Sequence, residues 1–160
     1  MRWGGTLVSF RAPFTRTGQR PNTGPAGEFF RSRRGRDHRP MKDTLTPGVT
    51  LEARHTVTAE MAPTHLPVKV LSTPSMIQMI EGTCLQAAQA HLDDGETTVG
   101  THVCVSHSGP AAAGEEVTVS CRLDQVDRRR LTFAVEVRSP RATISEGTHQ
   151  RTVVDRSRFG

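Results

Sequence analysis

The 160 residues suffice for one domain with a serviceable core, and no apolar run approaches the roughly 18 residues that a membrane-spanning helix needs. The formal charge of +5 is unevenly placed: residues 1–40 hold nine Arg against Glu28 and Asp37, a net of +7, while residues 41–160 hold 12 basic and 14 acidic side chains, a net of −2. The part able to fold is therefore mildly acidic, which argues against nucleic acid as its partner.

Residues 1–40 are rich in Arg, Gly, Pro, Ser and Thr and show no helical or strand period. Such a composition cannot bury enough apolar surface to offset chain entropy, so a disordered basic extension is expected. Three origins compete for it: a transit-like peptide, an arm for anionic surfaces built on Arg31-Ser32-Arg33-Arg34-Gly35-Arg36, or upstream sequence read from a wrong start. The abrupt change of composition at Met41-Lys42-Asp43 favours the last. A folded domain is expected over 41–160.

From Pro47 the pattern becomes orderly. Val49-Thr50-Leu51-Glu52-Ala53-Arg54-His55-Thr56-Val57-Thr58 alternates as a half-buried strand does. A Pro-containing loop follows, from Ala62 to about Ser72. Thr73-Pro74 then reads as a helix start, with Thr73 as N-cap and Pro74 at the first helical position, where its missing N–H does no harm. The helix is expected to run to about Leu92, a length of about 27 Å at 1.5 Å per residue, and Asp93-Asp94-Gly95 stops it. Four strands follow, over Thr98–Ser108, Glu116–Asp127, Arg130–Arg138 and Ala142–Asp155, with Asp127-Arg128-Arg129 and Ser139-Pro140-Arg141 as tight connections. The fold class is thus α+β, with one long helix laid on a curved antiparallel sheet of about five strands.

Aromatic residues are scarce after residue 40, where only Phe133 and Phe159 remain, so the core must come from Val, Leu, Ile, Met and Ala. Cys84, Cys104 and Cys121 lack metal-ligand spacing and cannot all pair; each falls among apolar neighbours. Buried free thiols in a reducing cytoplasm are expected.

Two features carry chemistry. Glu81 interrupts the apolar run Met76-Ile77-Gln78-Met79-Ile80-Glu81-Gly82-Thr83-Cys84-Leu85, and a carboxylate is costly to bury unless it is paired, hydrogen-bonded or neutralised. Downstream, Val99-Gly100-Thr101-His102-Val103-Cys104-Val105-Ser106-His107 alternates and ends on an imidazole able to shuttle protons near neutral pH. Taken singly, each residue has an ordinary explanation. Thr73 caps a helix, Glu81 sits on a solvated face, Gly100 marks a bulge, and His107 ends a strand; His149 and Arg151 occupy a strand where exposed polar residues are usual.

Taken together, the order of elements and these motifs resemble the hot-dog fold, and more closely its fluoroacetyl-CoA thioesterase-like family. The resemblance rests on Val70-Leu71-Ser72-Thr73, the helix Met76–Ala88 with Glu81, the stretch 99–107, and Gly147-Thr148-His149-Gln150-Arg151. It implies a metal-free and cofactor-free hydrolase of short acyl-CoA thioesters, active as a homodimer with sites at the subunit boundary. By the same resemblance Thr73, Glu81 and His107 are the catalytic residues, while Gly100 and Arg151 lie against the substrate. The family's fluoroacetyl-specific member has a phenylalanine-gated lid before its threonine; here that stretch is His65-Leu66-Pro67-Val68-Lys69. Two other readings stand beside this one. A hot-dog hydratase would need an Asp–His motif that is absent, and a non-catalytic acyl-CoA or small-ligand binding protein would share the fold without the chemistry.

Overall fold

A computed structural model describes residues 42–159; the expected basic extension over 1–40 lies outside them. Strand β1 (Thr50–Thr56) comes first, then helix α1 (Thr73–Gln89), then β2 (Glu96–Val105), β3 (Glu116–Asp127), β4 (Arg130–Arg138) and β5 (Thr143–Asp155). The strands form one antiparallel sheet in the order β1-β3-β4-β5-β2. Strands β3, β4 and β5 meet in sequence because short connections favour antiparallel neighbours. Among the described residues β2, which follows the helix, pairs only with β5 and forms one edge of the sheet.

Period-two patterning decides which sheet face is buried. In β3 the inward residues are Val117, Val119, Cys121 and Leu123; in β4 they are Leu131, Phe133, Val135 and Val137. The helix answers with Met76, Met79, Ile80, Thr83, Cys84, Ala87 and Ala88, one stripe at three- and four-residue spacing. Phe133, Met76, Ile80 and Leu131 are fully buried, and each such side chain contributes about 1.5–3 kcal/mol of transfer free energy. Cys84 on the helix and Cys121 on β3 meet across this interface. Their hydrogen bond, with burial second, pushes the Cys84 thiol up.

Several expectations need correction. The helix N-cap is Ser72, whose side chain accepts from the Ser75 amide, so Thr73 occupies the first helical position and Pro74 the second. The shift of one residue frees the Thr73 hydroxyl from capping. The helix ends at Gln89 rather than near Leu92, although Leu92 is buried beneath the turn that follows. Cys104 is exposed, not buried. The reason is a bulge in β2: Gly100 faces Arg151 and His102 faces Gln150, leaving Thr101 as the extra residue.

Candidate active site

The first half of the site lies at the start of α1. Thr73 is brought there by the Ser72 cap and by Pro74, which fixes the backbone for a helical turn. His107 arrives just after β2 ends. Thr73 Oγ1 and His107 Nδ1 lie 2.8 Å apart, a hydrogen bond spanning 34 residues of sequence. The hydroxyl donates when Nδ1 is unprotonated and accepts when Nδ1 carries the proton, so the pair orients the imidazole in either tautomer. Both line a cleft of about 440 Å³ whose other walls include Pro63, His65, Leu66 and Leu71. Most of this lining is apolar, as small-molecule sites usually are.

The second half lies two helical turns further on. Glu81 projects from α1 with 43% of its side chain exposed, so it rests at the rim of the buried core and not in a closed apolar wall. A Cβ built on Gly100 would stand 3.1 Å from Glu81 Oε1 and 3.2 Å from His149 Cε1. Glycine thus lets the carboxylate lie this close to β2, where a Cβ would make it give by a few tenths of an ångström. Opposite, on β5, Arg151 is buried at 4% exposure and His149 at 0%. Both face inward because they pair with the core residues Leu131 and Phe133 of β4.

Arg151 satisfies its guanidinium mainly on neutral groups. Nε donates to Thr98 Oγ1 at 2.7 Å and Nη2 to the Thr98 carbonyl at 3.0 Å. Nη1 reaches the Glu81 carbonyl at 3.2 Å and His149 Nε2 at 3.0 Å. The Glu81 carboxylate stands 4.0 Å from Nη1, close enough to feel the charge but too far for a hydrogen bond. Burial lowers the Arg151 pKa from its ordinary value, and the Glu81 charge opposes that shift. His149 is also depressed, by burial first and by Arg151 in addition, with the His102 carbonyl and Glu81 working the other way.

The structure therefore joins Thr73 to His107, and Glu81 to Gly100 and Arg151, but it does not join the two groups. Thr73 and Glu81 are eight residues apart on one helix, about 12 Å of axial rise. Two members of the second cluster were missed in the sequence: His149 and Thr98. The signal for His149 was present, since counting back by twos from Val153 passes through Arg151 and His149. Among the described residues no group of three or more His, Cys, Asp or Glu could hold a metal ion, and no helix is long and apolar enough to cross a membrane.

The fold is that of the hot-dog proteins: a hot-dog-like protein from Thermanaerovibrio acidaminovorans superposes with a TM-score of 0.66 at 20% identity, over 71% of this chain and 86% of that one. Within that class, the chain belongs to the fluoroacetyl-CoA-specific thioesterase family, whose profile matches residues 51–157. The fluoroacetyl-CoA thioesterase of Streptantibioticus cattleyicolor is 34% identical over 91 residues, covering 57% of this chain and 66% of that relative, just under two thirds of its length. A solved structure of the fluoroacetyl-CoA thioesterase FlK gives a TM-score of 0.69 at 28% identity, over 73% of this chain and 93% of that one.

Proposed function

We propose that this chain hydrolyses short-chain acyl-CoA thioesters as a homodimer, with Thr73, Glu81 and His107 carrying the reaction and Gly100 and Arg151 lining the acyl site. The observation that carries the reading is the Thr73–His107 hydrogen bond beside an apolar cleft, with a half-exposed carboxylate on the same helix. Membership of a thioesterase family supports it.

Thioester cleavage needs a nucleophile, a proton shuttle and donors for the developing oxyanion. Glu81 supplies the carboxylate, which either adds to the thioester carbonyl or takes the proton of an attacking water. His107 returns a proton to the leaving thiolate, and the Thr73 hydroxyl steers the imidazole. Pro74 has no N–H and the Ser75 amide is held by Ser72, so the Thr73 N–H is the first-turn amide of α1 suited to the oxyanion. Since Thr73 and Glu81 stand about 12 Å apart along one helix, a complete constellation is drawn from two subunits meeting at the boundary. The unpaired edge of β2 supports such a pairing. Three free cysteines fit a reducing cytoplasm.

The test is turnover of an acyl-CoA panel followed by release of free thiol. Glu81→Gln and His107→Ala should each lower kcat by about 10²–10⁴-fold with KM little changed. Activity within about threefold of the parent in both variants would remove the site and favour a binding protein.

A further inference from the structure

His149 is fully buried, and its two ring nitrogens have partners of opposite kind. Nδ1 lies 2.9 Å from the His102 carbonyl, which can only accept. Nε2 lies 3.0 Å from Arg151 Nη1, which can only donate. One tautomer satisfies both: the proton sits on Nδ1, and Nε2 accepts. The ring is therefore neutral.

Nη1 of Arg151 carries two hydrogens. One is directed to the Glu81 main-chain carbonyl and the other to His149. None remains for the Glu81 carboxylate at 4.0 Å. A guanidinium and a carboxylate at this separation would ordinarily close into a charge-assisted hydrogen bond, and a closed pair would leave the carboxylate less basic and less nucleophilic.

We propose that His149 is a positioning residue: as the neutral Nδ1–H tautomer it occupies the Arg151 hydrogen that would otherwise close on the Glu81 carboxylate, and so keeps that carboxylate available for the thioester. The role rests on the acyl-CoA hydrolase reading given above. The bulge at Thr101 contributes, because the adjoining His102 carbonyl is turned to the imidazole. The charged and titratable groups facing the ring are Glu81 from α1, His102 from β2 and Arg151 from its own strand. Burial and Arg151 both disfavour the imidazolium, consistent with a ring held neutral.

Two substitutions separate positioning from packing. His149→Asn retains an N–H near the Nδ1 position but has no acceptor reaching Arg151, whereas His149→Gln places an acceptor near the Nε2 position. The Asn variant should lose about tenfold or more in kcat, with KM within about threefold, and the acid limb of its pH–rate profile should move to lower pH. The Gln variant should recover most of the lost kcat. Near-parental kcat in His149→Asn, or an equal loss in both variants, overturns the proposal. Nitrogen NMR of the unsubstituted protein gives an independent measurement that requires neither turnover nor a folded variant. A ring protonated on Nδ1 alone at neutral pH supports the role, and a ring protonated on Nε2 overturns it. Failure of the parent to cleave any acyl-CoA would instead refute the hydrolase reading, leaving the NMR result to judge His149 by itself.

Discussion

Oε1 of Glu81 stands 3.1 Å from the point that a Cβ on Gly100 would occupy, so an alanine there must displace either the carboxylate or the His149 ring. The ring is held at both nitrogens, while the carboxylate ends a flexible, partly exposed side chain. The carboxylate will give way. Gly100→Ala should therefore alter stability by no more than about 1 kcal/mol, since alanine also restricts the unfolded chain, yet lower kcat/KM by about tenfold or more. Melting curves alongside acyl-CoA turnover check this, and unchanged turnover would show that Gly100 is only a bulge residue.

The helix start divides stability from activity between two neighbours. Ser72 accepts from the Ser75 amide, whereas Thr73 bonds to His107. Ser72→Ala should cost about 1 kcal/mol and leave kcat near parental. Thr73→Val, isosteric and one position inside the helix, should leave the melting temperature nearly unchanged and lower turnover. Reversal of that pattern would return the cap to Thr73.

Much of this arrangement was legible in the sequence, and what was not has a physical cause. The five strands and the helix followed from alternation and from the Thr73-Pro74 start; β3 and β4 have the expected bounds at both ends and β5 the expected last residue, while the remaining ends differ by one to three residues. Thr73, Glu81 and His107 were singled out by the hot-dog resemblance more than by pattern. Gly100 was read as a bulge marker, but the change of face beyond it was hidden because Val99, Val103 and Val105 alternate without interruption in the sequence. In the sheet, Val99 pairs with Thr152, while Val103 pairs with His149 on the opposite, inward face. One extra residue changes the phase of the strand, while the residues beyond it alternate as before. His149 was misjudged as an exposed strand residue for a related reason. Its spacing from Val153 puts it on the same face as that residue, but which face is buried is decided by the register that sets it opposite Phe133.

Assembly is open to direct measurement. A homodimer should give a solution mass near twice the 17.5 kDa of the chain by light scattering at micromolar concentration. A monomer mass there would also remove the shared site, because Thr73 and Glu81 of one chain lie too far apart to meet.

The depressed His149 pKa has a stability consequence with a definite sign. Between its folded value and the ordinary 6.5, the unfolded chain holds a proton that the folded chain does not. This contribution is fully present above about pH 6.5 and is lost as pH falls toward the folded value. Denaturant unfolding of the parent should thus weaken across that window, and His149→Asn should show a shallower decline. Parallel curves for the two proteins would show that the imidazole is not the titrating group.

Arg151 also has a mechanical meaning. Its side chain starts from β5, grips Thr98 on β2 at two atoms, and reaches the Glu81 carbonyl on α1. It is a cross-brace that ties the helix turn bearing the carboxylate to the strand at the open border of the sheet. A load applied to that border, such as a second subunit docking there, is passed through rigid planar geometry to the helix. The border strand and the Glu81 turn share this brace, so a shift of the first bears directly on the position of the second.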